Sequence, residues 1–347
     1  SPADLEATIT RLFEHAGTAT DRARQVAANL VLANLSGHDS HGVGMAPRYV
    51  DAILEGRLHT AADVAVRVDN GMLLGLDGQS GFGQVVGVQA MDLAFDRVAA
   101  HGACIFSLAS AHHLGRIGHF AEMAVAQGLV SIHFVNVLSR PVVAPFGGGD
   151  GRFGTNPCCI GVPMGQRKPF LLDFATSRVA QGKMRVAYNK GEEVPDGYLI
   201  DEKGHPTNNP GVVVVPQSNG FFGALMTFGD HKGFGMAMAC ELLGGALTGG
   251  GTWHREADNK RAVLNGMLTM IIDPVRLGTQ EAFEKEALAF EDWLRQSPNA
   301  PVTEGVLLAG EPERKARTDR QLNGIWIDDA TLAEIQASEE KLKQRHV

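Results

Sequence analysis

Apolar residues recur at helical spacing through the first part of the chain. Leu5, Ile9, Leu12, Phe13 and Ala16 share one face of residues 4–16, with Ser1-Pro2 as cap and first turn. Ala23, Val26, Ala27, Leu30 and Ala33 form a second stripe, which Thr20 is placed to cap. A shorter helix is predicted from Pro47 through Val50, Ile53 and Leu54, stopped by Gly56. The turn Asp77-Gly-Gln-Ser-Gly81 precedes a helix running from near Ser80 to His101, with Gly102 as its end. The pattern then changes. Residues 103–109 are a mostly apolar run of buried-strand length, and residues 130–137 alternate. Between them lie a polar loop over 110–118 and a helix ending near Gly128. Strand, loop, helix and strand make an α/β unit, so the class is α/β or α+β.

Further on, residues 170–173 form a short strand, and Ala175-Thr-Ser177 is expected to open another helix. Residues 188–216 are dense in Pro, Gly and Asp and read as an extended loop or hairpin. A helix starts at His231-Lys232-Gly233, a strand over 268–272 is closed by Asp273-Pro274, and residues 280–294 are a charged helix. Residues 318–323 lead to a strand-like Gly324-Ile-Trp-Ile327, and Asp329 caps a last helix. At 347 residues the chain suggests two lobes. The expected division sets a helical region over 1–74, joined by 296–347, against a central α/β region over 75–295.

Composition narrows the function classes. Apolar residues are 44% and charged residues 20%, an ordinary globular balance. No window approaches eighteen uncharged apolar residues, so no membrane span is expected. A net charge of −8 without a basic block argues against nucleic acid as a partner. Cys104, Cys158, Cys159 and Cys240 form no CxxC and read as buried free thiols. The opening Ser1-Pro-Ala-Asp4 is a helix start, not a signal peptide, so a cytoplasmic protein is expected.

The glycines invite a dinucleotide motif, but Gly81-Phe-Gly-Gln-Val-Val-Gly87 has one residue too many for GxGxxG and follows no clear βαβ strand. Three polar clusters carry the candidate chemistry. Leu35–Tyr49 contains His38, Asp39, Ser40, His41, Arg48 and Tyr49. It admits a metal site from His38, His41 and His113, a Ser40–His41 hydrolase, or a His41 acid/base beside Arg48, whose fork would hold a carboxylate; a capping loop with a solvated histidine is the plain alternative. No GxSxG elbow supports the hydrolase. His112-His113-Leu-Gly115-Arg116 sits past an apolar strand at a loop-to-helix junction, where α/β proteins place ligands. Lys232 lies between glycines where a helix begins, a natural phosphate or carboxylate contact.

Taken in order, Asp39-Ser-His-Gly42 with Pro47-Arg-Tyr49, Ser110-Ala-His-His-Leu-Gly115, Phe153-Gly-Thr-Asn-Pro157, Leu172-Asp-Phe-Ala-Thr-Ser177, Gln181-Gly-Lys183, the run from Val194 to Thr207 and His231-Lys-Gly233 resemble one family. It is the malate/L-lactate dehydrogenase family unrelated to the Rossmann-type enzymes, which also holds sulfolactate and ureidoglycolate dehydrogenases and piperideine-2-carboxylate reductases. Ser131-Ile-His-Phe-Val135 and Val143-Ala-Pro-Phe146 look closest to its bacterial hydroxycarboxylate dehydrogenase branch.

The resemblance implies a mixed, mainly antiparallel sheet flanked by helices, NAD or NADP as cofactor, a small 2-hydroxy/2-oxo acid as substrate, and a homodimer. It gives His41 and His113 as candidate proton carriers, with Ser40 as a hydrogen-bond partner. Arg48 would grip the carboxylate near Tyr49, and Thr155 and Asn156 would line the cleft. His113, Gly115, Asp173, Phe174, Ala175, Lys232, Gly233, Glu311 and Arg314 match cofactor-contacting segments. Arg185, Lys190 or Arg314 would serve a 2′-phosphate. Two departures stand out. The imine reductases carry a carboxylate soon after the step corresponding to Gly182-Lys183, where this chain has Met184, which weighs against imine reduction. The usual Pro-Gly-Glu is Ala309-Gly310-Glu311 here.

Overall fold

Two helical stripes at the N-terminus become an antiparallel pair, α1 (Pro2–His15) and α2 (Thr20–Leu35). Ser1 caps α1 as expected, in a reciprocal capping box with Asp4. Thr20 does not cap α2. It lies inside the first turn and donates to Glu14 across the turn instead, at 2.7 Å. Together with α3 (Ala46–Leu54) these helices bury Ile9, Leu12, Phe13, Val26, Leu30, Tyr49 and Val50 in one core. Ile335 and Leu342 of the last helix complete that core. The computed structural model describes residues 1–254, 262–301, 303 and 305–345.

After the helical layer comes a hairpin, β1 (Ala65–Asn70) and β2 (Leu73–Asp77), and then α4 (Gly83–His101). Phe82 and Val85 at the start of α4 pack into the helical core, while Val86, Met91 and Val98 pack on the sheet. β3 (Ala103–His112), α5 (Gly118–Ala126) and β4 (Val130–Leu138) are the predicted α/β unit. β5 (Cys158–Val162), β6 (Phe170–Phe174) and α6 (Gln181–Lys190) follow. The helix expected at Ala175 therefore starts six residues later. Thr176 and Ser177 are held extended, Thr176 Oγ by the carbonyls of Thr155 and Asn156 and Ser177 in a bridge to Thr227. Such side-chain bonds compete with helix formation.

Of residues 188–216, expected as an extended loop or hairpin, the first three finish α6, and the rest contain only short elements, β7 (Leu199–Ile200), β8 (Pro206–Thr207) and α7 (Gly211–Val214). These join β9 (Ala224–Leu225) in a small sheet of order β8-β7-β9. α8 (His231–Cys240) runs into a π-helical turn over Glu241–Ala246. β10 (Leu264–Ile272), α9 (Gln280–Arg295), α10 (Glu311–Asn323) and α11 (Asp329–Arg345) close the chain. Residues 318–323 are the end of α10, and Gly324–Ile327 is not a strand. Ile325 and Ile327 instead pack against the helical core, which explains their alternation without a strand partner.

The main sheet has the order β1-β2-β3-β10-β4-β5-β6, and only β2 and β3 are parallel. β10 inserts between β3 and β4 and begins four residues before the apolar run that marks it in the sequence. Asn265 hides that start: its side chain is buried, accepting from Leu114 N–H at 2.8 Å and donating to Asn136 C=O at 2.8 Å. Helices α4 and α5 cover one face over Phe106, Leu108, Val135, Met267 and Ile271, with Phe120 of α5 in the same core. All four cysteines are buried free thiols.

Two fully buried histidines make the fold acid-sensitive. His133 bonds to Thr269 and Ser131, and burial pushes it down to about 3. His112 falls to about 3 as well, from burial first and the nearby Arg48 charge second. Between the ordinary value of ~6.5 and these values the unfolded chain binds protons that the folded chain does not. Stability is therefore unaffected above ~6.5 and falls as the pH drops below it, by about 2 kcal/mol per histidine at pH ~5. Urea midpoints at neutral and mildly acidic pH measure this, and an unchanged midpoint would contradict it.

Candidate active site

The polar stretch between α2 and α3 is built from two short 3-10 turns, Asp39–His41 and Val43–Met45. Asn34, buried in the last turn of α2, holds both. Its carbonyl accepts from Val43 N–H at 2.8 Å, and its amide donates to Asp39 Oδ1 at 2.7 Å. A Cβ on Gly42 would stand 2.1 Å from Asn34 Oδ1, so a glycine is what admits the carboxamide. Arg320 of α10 locks Asp39 from outside with two bonds, at 2.6 and 3.0 Å.

This frame sets Ser40 Oγ 3.0 Å from His41 Nδ1 and stacks the His41 ring on that of His113, centroids 5.5 Å apart and planes at 16°. The two polar clusters, 63 residues apart at their nearest in sequence, are thus one site. Wholly buried Tyr49 of α3 lies with its hydroxyl 2.6 Å from His113 Nδ1, and Gln84 Nε2 of α4 donates to the same hydroxyl at 2.8 Å. His112 does not join the pair. Consecutive side chains alternate at the end of β3, and its ring lies buried, edge-on to Tyr49 at 5.1 Å, with neither nitrogen hydrogen-bonded to a described residue.

Burial pushes His41 down to about 4, helped by the nearby charges of His38 and Arg116. His113 also lies well below its ordinary range, through burial first and then His41, His112 and Arg48. Both rings are therefore neutral near pH ~7. Arg48, next to Tyr49 on α3, is half-buried, and burial opposes its charge. Two neutral imidazoles and a partly desolvated guanidinium suit proton transfer beside a bound carboxylate.

Asp173 at the end of β6 accepts from Gly118 N–H at 2.8 Å. Its carboxyl is raised by burial against the lowering influence of His38 and Arg116. A Cβ on Gly118 would lie 2.7 Å from Asp173 Oδ2 and 2.4 Å from Arg116 Nη1, so backbone alone fits there. Gly115 takes φ +75°, beside Asn29 and Gln84. Phe174 meets Phe228 edge-on at 5.5 Å, and Phe228 N–H bonds to Thr176 C=O, which brings Ala175 and the start of α8 together. Lys232 is exposed there, and Gly233 is pressed on the Phe228 carbonyl, 1.8 Å from where a Cβ would stand.

Other expected residues lie further out. Glu311 bonds to Arg295 and to Leu308 N–H, and Arg314 donates to Pro169 C=O at 3.1 Å, at the opposite end of β6 from Asp173. Asn156, at φ +36° and fully buried, accepts from Val137 N–H and donates to Glu241, tying β4 to the turn after α8. The neighbouring Thr155 carbonyl receives Thr176.

Sequence reasoning missed Gln84, Asn34 and the His38–Glu313 pair at 3.1 Å, and it gave no separate role to Arg116, the last residue of the second polar cluster, which is buried and pairs with Glu122 at 2.6 Å. For Gln84 and Asn34 a signal existed: each is a polar residue on an otherwise apolar helical face, where an amide needs a partner. Among the described residues no three of His, Cys, Asp and Glu could hold a metal ion, and His38 faces Glu313 while His41 faces His113.

A mainly antiparallel sheet that lacks the glycine-rich dinucleotide turn, with a paired-histidine site between it and a helical layer, defines a dehydrogenase fold of the non-Rossmann kind. The chain belongs to the malate/L-lactate dehydrogenase family, whose model matches residues 1–336. It is 44% identical over 326 residues to hydroxycarboxylate dehydrogenase B of Escherichia coli, covering 93% of this chain and 89% of that one. It is 38% identical to L-lactate dehydrogenase of Cupriavidus necator, covering 90% and 91%. The solved sulfolactate dehydrogenase of Methanocaldococcus jannaschii superposes with a TM-score of 0.85 at 29% identity, over 99% of this chain and 97% of that one.

Proposed function

We propose that the protein is an NAD(P)-dependent oxidoreductase that interconverts a small 2-hydroxy acid and its 2-oxo acid. The observation that carries this reading is the stacked His41–His113 pair beside Arg48. Arg48 holds the substrate carboxylate through its fork, which fixes C2 and its oxygen over the two imidazoles. Ser40 occupies His41 Nδ1, leaving Nε2 for the substrate oxygen. In oxidation Nε2 takes the hydroxyl proton as the carbonyl forms, and in reduction it returns a proton to the oxygen.

The segments whose motifs match cofactor contacts carry groups suited to a nicotinamide dinucleotide. Gly115, Gly118 and Gly233 leave backbone where side chains would collide, Lys232 offers an exposed cation at a helix start, and the lone pairs of Asp173 not taken by Gly118 suit a ribose hydroxyl. When bound, the nicotinamide supplies hydride exchange at the substrate's C2. Dehydrogenation of hydroxycarboxylates, lactate and sulfolactate by the named relatives supports the substrate class. Cyclic-imine reduction is disfavoured because Met184 is buried in an apolar cluster where the relay carboxylate would be needed.

Incubation with NADH or NADPH and a panel of 2-oxo acids, followed at the nicotinamide absorbance, tests the reading. Acid-dependent oxidation of one cofactor is expected. No turnover with any acid and either cofactor would overturn it, as would cofactor-independent hydrolysis abolished by a chelator.

A further inference from the structure

Gln84 is fully buried in the first turn of α4 and carries no group that moves a proton or binds a metal. Its amide nitrogen nevertheless lies 2.8 Å from Tyr49 Oη, which in turn lies 2.6 Å from His113 Nδ1. We propose that Gln84 is a positioning residue that, through Tyr49, fixes His113 as the Nε2–H tautomer, making it the hydrogen-bond donor to the substrate oxygen while His41 carries the proton. The catalytic part of this assignment rests on the 2-hydroxy acid reading; the tautomer does not.

An amide nitrogen only donates, so the Tyr49 oxygen accepts from Gln84. Tyr49 is wholly buried, and burial raises its phenol, so the single phenolic proton is retained. Among the described residues the phenol oxygen has one other hydrogen-bond partner, His113 Nδ1, and a buried O–H without an acceptor would be costly. The proton therefore points at Nδ1, which must be bare. His113 is neutral, so its one proton sits on Nε2.

The reverse orientation of the carboxamide would reverse the whole chain, with Nδ1–H donating to the phenol and the phenol to Gln84 Oε1. It is disfavoured by Asn29. Its Oδ1 and Gln84 Nε2 border the same side of Gly115, at 3.1 and 3.2 Å from where a Cβ would stand, and Asn29 Oδ1 is buried with no donor among the described residues. Turning the amide would set a second carbonyl oxygen there.

The consequence is chemical. A base at His41 Nε2 requires its proton on Nδ1, where Ser40 Oγ lies 3.0 Å away to receive it, and the stacked rings are then opposite tautomers: His41 offers a lone pair and His113 a proton. A hydroxyl is donor and acceptor at once and matches both. A carbonyl accepts from His113 and from the protonated His41, so the developing oxyanion meets a donor already in place.

Nitrogen-15 NMR of the imidazoles in the whole protein tests this without substrate. In the unaltered protein His113 should show a pyridine-type Nδ1 and a pyrrole-type Nε2; the opposite pattern overturns the proposal, and that spectrum suffices if no variant folds. Gln84→Glu is the second arm, because a protonated carboxyl donates as the amide does while a carboxylate only accepts. Across about pH 5–9, which brackets the titration of a buried glutamate, the His113 tautomer should switch. kcat should fall on the basic side by the ~10²-fold typical of one lost oxyanion donor, with a smaller change in KM. A pH-independent loss with an unchanged tautomer would show that Gln84 only fills space and would refute its role. Absence of turnover with every 2-oxo acid, beside a correct tautomer, would instead sink the substrate reading alone.

Discussion

Replacing His41 with alanine is expected to lower kcat by ~10²–10⁴-fold in both directions, the range for losing an acid/base group. KM should change little, because in the proposed role the ring meets the substrate oxygen and not the carboxylate. The fold should tolerate the change. His41 is partly exposed, and the turn around it is held by Asn34, Asp39 and Arg320, not by the imidazole. Ser40→Ala removes only the partner of Nδ1 and should cost less, since the ring keeps its stack on His113. Steady-state kinetics with a melting curve separates these effects. Near-normal kcat in His41→Ala would remove it from the reaction.

Arg48→Ala should act on binding. A charge-assisted, forked contact to a carboxylate contributes a few kcal/mol where solvent is partly excluded, so KM should rise by roughly 10²-fold with a smaller loss of kcat. Arg48→Lys should recover only part of this, because an ammonium is a point charge without the planar fork. The structure adds a check: burial opposes the Arg48 charge, and its field helps to keep His112 and His113 neutral. Removing it should therefore also move the acid limb of kcat/KM upward. An unchanged KM for the acid would place the carboxylate elsewhere.

Legibility in the sequence followed physical cause. The helices of the N-terminal layer and strands β3 and β4 were readable because one-sided burial imposes a period on apolar residues, as at Leu12, Val26, Phe106 and Val135. β10 was half hidden because Asn265 and Gly266 stand where the pattern expects apolar side chains. Both are held by Asn136, whose Oδ1 also takes Gly266 N–H at 2.9 Å. Gly324–Ile327 misled for the opposite reason, since a short alternation buries one side of a loop as readily as of a strand.

At the site, His41, Arg48, Tyr49 and His113 stood out as reactive residue types in glycine-bounded loops. Their meeting was not readable, because it depends on α4 and β3 closing over α3. Gln84 went unnoticed because its importance lies in a hydrogen-bond direction that no spacing encodes.

The central claim is hydride exchange at C2 of a 2-hydroxy acid with proton transfer at His41. It is tested most directly by running the reduction with NAD(P)H deuterated at C4, using whichever 2-oxo acid the panel identifies. The expected product carries one deuterium at C2, and the His41→Ala protein forms it at a rate lower by the factor given above. A product without deuterium at C2, or equal rates in the two proteins, would contradict the account.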